Sequence, residues 1–274
     1  MLLGVSTSFE HTSPKDWADK MLEIGGKAVV FPVNYLADEE IIQGYVDAAK
    51  NAGLTIAEVG VWKNTLSADP VERAQAQEYA IGQLKLADRI GANCCVNICG
   101  TNAGPKWDGG YRGNYSKETW DEIVRMIQYI IDEANPQHTK YSIEPMPWMV
   151  PSGPDEYLKL IKDVNRPQFG VHMDLINMIN CPERYFFMDE FMEECFTKLK
   201  GHICSCHLKD IILREEFTFQ LRETFCGDGA FNIELYTKLA TAENPNMPML
   251  IEHLHTDEEY RNSMKYVKSR LGIK

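Results

Sequence analysis

Four short stretches of this sequence end in side chains that bind cations or move protons: Tyr141-Ser-Ile-Glu144, Gly170-Val-His-Met-Asp174, Ile203-Cys-Ser-Cys-His-Leu-Lys-Asp210 and Met249-Leu-Ile-Glu252. Each opens on small or apolar residues and turns polar at its C-terminal end. The third is the most crowded, with His207, Lys209 and Asp210 within four residues. A solvated strand has no need of an imidazole, an ammonium and a carboxylate side by side; a strand that ends at a reaction site does. Singly, each residue has an ordinary reading: a strand-end Glu can salt-bridge the next helix, Asp174 can cap a helix, and His207 can be a satisfied core histidine. Jointly, Glu144, Asp174, His207 and Glu252 are three carboxylates and an imidazole. Carboxylates brought together repel one another and their pKa values rise, and a divalent cation relieves that repulsion. Three oxygens and one nitrogen, with positions left for water or substrate, suit Mn²⁺, Mg²⁺, Co²⁺ or Zn²⁺.

The elements that must position these groups follow from the apolar pattern, which alternates between two periods along the chain. Strands are expected at Leu2–Thr7, Ala28–Val33, Thr55–Trp62, Cys94–Cys99, Lys140–Glu144, Phe169–Asp174, Ile203–Lys209 and Met249–Leu254. Between them, helical spacing marks Pro14–Ile24, Asp38–Asn51, Pro70–Ile90, Ser116–Asn135, Pro154–Val164, Pro182–Leu199 and Phe231–Ala242, and Asp257–Leu271 closes the chain. Asp69-Pro70 is a helix start and Gly53 and Gly91 are helix stops. Residues 100–115 form a loop long enough to be functional, and Trp107, Tyr111 and Tyr115 in it predict a packed lid or pocket wall. Eight strands alternating with helices imply parallel pairing with right-handed crossovers. The expected fold is therefore a closed (β/α)8 TIM barrel, a single domain over residues 1–274. An open doubly wound sheet is disfavoured because no Gly-x-Gly-x-x-Gly follows the first strand. In a barrel, reacting groups sit at the C-terminal strand ends, where Glu144, Asp174, His207 and Glu252 fall on strands five to eight.

Composition narrows the partners. The chain has 40 acidic and 28 basic residues, a net charge of −12. That excess disfavours nucleic acid and anionic membranes, which call for a concentrated cationic face. The N-terminal run is too short and lacks the basic start of a signal peptide, and no stretch approaches a membrane span. A cytoplasmic protein is expected, with its eight cysteines as reduced thiols of the core. Cys204-Ser-Cys206 has neither the spacing nor the second pair of a structural zinc site.

Ile143-Glu-Pro145, the segment ending at Asp174, His207-Leu-Lys-Asp210, Gly227-Asp-Gly229 and Ile251-Glu252 together resemble the xylose-isomerase-like barrel superfamily, and within it the sugar phosphate isomerase/epimerase group that includes the tagatose/psicose 3-epimerases. The resemblance covers most of the chain. It implies one divalent metal ion, Mn²⁺ first, held by Glu144, Asp174, His207 and Glu252. It also implies that Glu144 and Glu252 form the acid/base pair on opposite faces of a sugar. The activity so implied is isomerisation or epimerisation by proton abstraction next to a carbonyl, through an enediolate. Inosose dehydratases and C-glycoside deglycosidases resemble the same barrel, so a keto-sugar lyase or dehydratase is the alternative. Abasic-site endonucleases share it too, but they place histidines on strands three and four, where this chain has Glu58, Trp62, Asn97 and Cys99. A barrel without catalytic activity is the remaining option.

Substrate contacts are expected from Lys209, which shares the strand face of His207 and could hold the enediolate oxygen or pair with Asp210. His172 is expected one layer deeper, touching substrate or supporting the ligands. Trp62, Trp107 and Met146 would line an apolar wall, with Pro147, Trp148 and Met149 beside them. His255 could reach the rim, whereas His253 should point away. Three positions depart from the 3-epimerase pattern: Asn177 stands where those proteins carry His, Arg214 is displaced by a residue from their Arg, and Val150 is no replacement for their second Glu. The expected partner is a small-molecule sugar or sugar conjugate. Many members of the group are dimers or tetramers; a homo-oligomer or a complex with another chain is compatible with this sequence, and no pattern in it fixes either.

Overall fold

Short runs of buried residues, too brief for helices, make the sheet. The computed structural model describes residues 1–273. The barrel strands are β1 (Leu2–Val5), β2 (Ala28–Val30), β3 (Thr55–Gly60), β4 (Cys94–Asn97), β5 (Lys140–Ile143), β6 (Phe169–Asp174), β7 (Ile203–Leu208) and β10 (Pro248–Ile251). They pair in parallel, in the closed order β1-β10-β7-β6-β5-β4-β3-β2. β4, β6 and β10 are buried at every position, as strands covered on both faces must be. The enclosing helices are α1 (Pro14–Glu23), α2 (Glu39–Ala52), α3 (Pro70–Ile90), α4 (Lys117–Ala134), α5 (Pro154–Val164), α8 (Met188–Lys198), α9 (Ile233–Glu243) and α10 (Asp257–Leu271). Local chemistry sets their ends: Ser13, Asp69 and Ser116 cap α1, α3 and α4 through their side chains, and Thr256 and Glu259 form a reciprocal capping box on α10.

The expected (β/α)8 barrel is present, with three local differences. Residues 182–199 are not one helix: α7 (Pro182–Phe186) and α8 break at Phe187, whose φ of −115° and ψ of 46° leave the helical region. Arg184 ties α7 back to the carbonyls of Ser152 and Met178, while α8 buries Met188, Phe191, Met192, Cys195 and Phe196 along the barrel. A single turn, α6 (Leu175–Met178), follows Asp174 directly. Finally, the segment after β7 folds into an antiparallel hairpin of β8 (Asp210–Leu213) and β9 (Leu221–Thr224). Asp210 holds the return of that hairpin. Its carboxylate accepts from the backbone N–H groups of Ile211, Gly227, Gly229 and Phe231. A Cβ on Gly229 would stand 2.2 Å from Asp210 Oδ1, so only glycine fits there. Asp210 is therefore not the partner of Lys209.

Two tyrosines lock three of the four strand ends that carry the candidate ligands. The Tyr157 hydroxyl on α5 lies 2.7 Å from the carbonyl of Ile143 and 3.1 Å from that of His172. The Tyr236 hydroxyl on α9 lies 2.8 Å from the carbonyl of Met173 and 3.1 Å from that of His207. Both side chains are fully buried. Among the described residues, no helix is long and apolar enough to cross a membrane, and no cysteine is disulfide-bonded. Tyr236→Phe removes the donor from two buried carbonyls and is expected to cost about 1–3 kcal/mol, read from urea denaturation midpoints at unchanged slope.

Candidate metal centre and active site

The register of the barrel brings the four ligand candidates to one point. Asp174 and His207 are direct neighbours across β6 and β7. Glu144 and Glu252 each lie one residue beyond their strands and continue the ladder, their N–H groups donating to Asn97 and Leu208. One donor atom from each of Glu144, Asp174, His207 and Glu252 lies within 4.8 Å of the other three, and all four residues are buried. His207 Nδ1 is 2.7 Å from Glu252 Oε2 and 3.4 Å from Glu144 Oε1. Asp174 divides its oxygens: Oδ1 caps α6 through the Asn177 N–H, and Oδ2 faces the cluster. Despite charged neighbours this close, His207 Nδ1 and Asp174 Oδ2 make no hydrogen bond of sound geometry. Polar atoms buried around one shared space, two of them without a hydrogen bond of sound geometry, fit a cation, and this donor set suits a hard or borderline divalent one.

Glu58 on β3 orients the imidazole from behind. Its carboxylate takes the Ser205 hydroxyl and His172 Nε2 at 2.8 Å, and stands 3.3 Å from His207 Nε2. A proton of His207 held on Nε2 by Glu58 would leave Nδ1 free to ligate a cation. Burial pushes the Glu58 carboxyl upward, but His172 and His207 beside it outweigh that and hold it ionised. His172 thus supports Glu58 and does not line the cavity.

Lys209 supplies the opposing charge. Its fully buried ammonium is 2.8 Å from Asp174 Oδ2, 2.8 Å from Glu252 Oε1, 2.9 Å from Glu223 Oε1 and 3.0 Å from Asn177 Oδ1. Glu223, on β9, also binds His253 Nδ1 at 2.8 Å. The β8–β9 hairpin is therefore fastened onto the site through one carboxylate. Burial opposes ionisation throughout, yet His207 holds the Glu144 and Glu252 carboxyls low, with Lys209 assisting at Glu252. The excess falls on Asp174, whose carboxyl is pushed up to about 8 by burial and by the charges of Glu252 and Glu144, against the pull of Lys209.

A cavity of about 900 Å³ opens onto this cluster. Glu144, His207, Glu252 and Asn177 line its polar part, and Trp62, Trp107 and Met146 its wall, as expected from the sequence. Asn177 donates to Glu144 Oε1 at 3.2 Å. Four expected substrate contacts do not line the cavity: His172 and Lys209, which are fully buried, and Arg214 and His255. Arg214 sits at the end of β8, pairs with Glu216 and does not line the cavity. His255 is also outside, its backbone N–H bound by Glu259 in the cap of α10. His253 is reversed: it lines the cavity, because its φ of 56° breaks the strand alternation that would have turned it away. Glu58 and Glu223 were not assigned to the site from sequence. A lone acid inside the otherwise uncharged Thr55–Gly60 is the available signal for Glu58; Glu223 has none, because neither a strand nor a helix period marks its short hairpin.

The family model described as xylose isomerase-like TIM barrel matches residues 18–270. A search of curated proteins returns no match. Among solved structures, a D-psicose 3-epimerase in the presence of D-fructose is 15% identical, with a TM-score of 0.73 over 99% of this chain and 100% of that one. A xylose isomerase-like TIM barrel protein from Mycobacterium smegmatis, in complex with magnesium, is 16% identical, with a TM-score of 0.69 over 95% and 89%. A 3-keto-D-glucoside 4-epimerase from E. coli is 13% identical, with a TM-score of 0.70 over 98% and 99%. At these identities the likeness is one of fold.

The charge balance predicts the pH dependence of the metal-free protein. Asp174 is raised from its ordinary value to about 8 by burial and Glu252, and His207 is raised because Glu252, Glu58 and Glu144 outweigh its burial. Both bind more protons folded than unfolded as pH climbs from about 5 to 8, so stability falls over that window, by up to about 1.4 kcal/mol per pH unit for each proton. Below about pH 4.5 the sign reverses, because Glu58, Glu144 and Glu252 are held low. Chemical denaturation in EDTA at pH 5, 6.5 and 8 measures this, and Asp174→Asn should flatten the upper limb.

Proposed function

The chain belongs to the xylose isomerase-like TIM barrel family, and on that premise we propose that it is a divalent-metal-dependent isomerase or epimerase of a sugar or keto-sugar. The observation that carries this reading is the convergence of Glu144, Asp174, His207 and Glu252 within 4.8 Å at the base of a cavity that could admit a sugar. These four side chains would hold the ion, with Mn²⁺ first and Mg²⁺, Co²⁺ or Zn²⁺ able to use the same donors. When bound, such an ion supplies Lewis-acid stabilisation to the negative charge that grows on a carbonyl oxygen as its neighbouring carbon loses a proton.

The remaining chemistry belongs to the chain. One of Glu144 and Glu252 takes the proton from the carbon beside the carbonyl, and the other returns one. Against the opposition of burial, His207, with Lys209 assisting at Glu252, keeps both carboxyls ionised, so the carboxylate that returns a proton first takes it from solvent. The Lys209 ammonium, shared among Asp174, Glu252 and Glu223, adds fixed positive charge where the enediolate forms. The Asn177 amide keeps Glu144 in one orientation. Glu223 fastens the hairpin over Lys209 and His253 and so limits the access of water. The magnesium in one structural neighbour and the sugars named for two others agree with this assignment. A second reading, loss of a leaving group after the same proton abstraction, is favoured by the wide apolar wall, which accommodates a bulky substituent.

Three substitutions test the roles. With Mn²⁺-loaded protein and keto-sugars in D₂O, proton NMR should show exchange next to the carbonyl together with a new epimer; release of water or an aglycone instead would select the second reading. Glu144→Gln and Glu252→Gln are each expected to lower the exchange rate by about 10³-fold. Glu223→Gln should lower it less, by about 10-fold, while leaving one ion bound per chain by titration calorimetry.

A further inference from the structure

The cavity is larger and more apolar than a free sugar requires. At about 900 Å³ it lies near the top of the roughly 300–1,000 Å³ range of clefts that bury drug-sized ligands. Three of the chain's five tryptophans, Trp62, Trp107 and Trp148, line it, with Met146 on the same wall and Phe219 contributed by the hairpin. A lone sugar seated on Glu144 and Glu252 would leave most of this surface wet.

Two of the indoles are fixed in place yet uncovered. Trp62 is 42% exposed, and its φ of 50° lies in the left-handed region, an outlier for so bulky a residue. A Cβ on Gly60 would fall 2.2 Å from the Trp62 indole nitrogen, so the ring rests on bare backbone. Strain of this kind persists only where the surroundings enforce it, and it gathers at ligand sites. Trp148 is also 42% exposed, and its ring N–H donates to the Asp108 carbonyl at 2.7 Å. Rings held rigid before any ligand arrives lose little freedom on binding, and flat apolar faces select flat apolar partners.

We infer that the substrate is a sugar conjugate whose second part is a flat apolar ring, seated among Trp62, Trp107 and Trp148 while the sugar occupies the acid/base floor. This deepens the acid–base reading above and rests on it for the position of the sugar. The test uses the Mn²⁺-loaded protein and two unreactive probes, phenyl and methyl β-glucopyranoside, followed by calorimetry and tryptophan fluorescence. The phenyl glycoside should bind about tenfold tighter than the methyl glycoside. Trp62→Ala and Trp148→Ala should each bring that ratio to about two or less, and Trp62→Phe should keep most of it. Equal affinities, no saturable binding of the phenyl glycoside, or a preference that survives both alanine variants would overturn the proposal. Failure of the two readings is separable. A phenyl preference without deuterium exchange on any keto-sugar condemns the acid–base assignment alone; exchange on free ketoses without a phenyl preference condemns this one alone.

Discussion

Glu144, Asp174 and Glu252 are buried within reach of one another, with Glu58 behind them and the half-exposed Glu223 over them. Such crowding is tolerable only because cations are built among them. His207 stands between Glu144, Glu252 and Glu58, and Lys209 between Asp174, Glu252 and Glu223. Two cations do not neutralise five carboxylates, and the deficit is expressed at Asp174, whose carboxyl moves up to about 8. A doubly charged ion among the same donors would reduce that deficit and displace the protons that otherwise relieve it. The departures from a simple hydrophobic barrel core, from Ser205 beneath Glu58 to the hairpin over Lys209, follow from the need to hold like charges together.

The surrounding fold resists their repulsion by holding the strand ends with ladder bonds and with two tyrosine hydroxyls. Ladder bonds from Asn97 and Leu208 hold the backbone of Glu144 and Glu252, and the hydroxyls of Tyr157 and Tyr236 fix the carbonyls beside the ligand positions from outside the barrel. Asp210 then gathers four backbone N–H groups and sends the chain back across the mouth, which delivers Glu223. Positions set in this way are rigid, as the proposed acid–base chemistry between two carboxylates and a small substrate would demand.

Much of this was legible in the sequence, for reasons that also explain what was not. Strands covered on both faces are short apolar runs, so a polar residue at the end of one is conspicuous; Glu144, Asp174, His207 and Glu252 are conspicuous in that way. Glu58 is visible as a lone acid, but its importance depends on meeting His172 and His207, 114 and 149 residues away, inside the closed barrel. β9 is short, largely exposed and mixed in character, so neither period registers and Glu223 was lost with it. Arg214 and His255 lie near ligands in sequence, but the chain has already turned away at the hairpin and at the cap of α10. Strand alternation points His253 away from the cavity, and that rule stops applying once φ becomes positive.

The central claim is that these four side chains share one divalent ion. Crystals soaked in Mn²⁺ and measured for anomalous scattering test it most directly. The account predicts a single strong peak per chain, bounded by Glu144, Asp174, His207 Nδ1 and Glu252 at about 2.0–2.3 Å, with Lys209 withdrawn from Asp174. Density without such a peak, with Lys209 still bridging Asp174 and Glu252 at saturating metal, would contradict it.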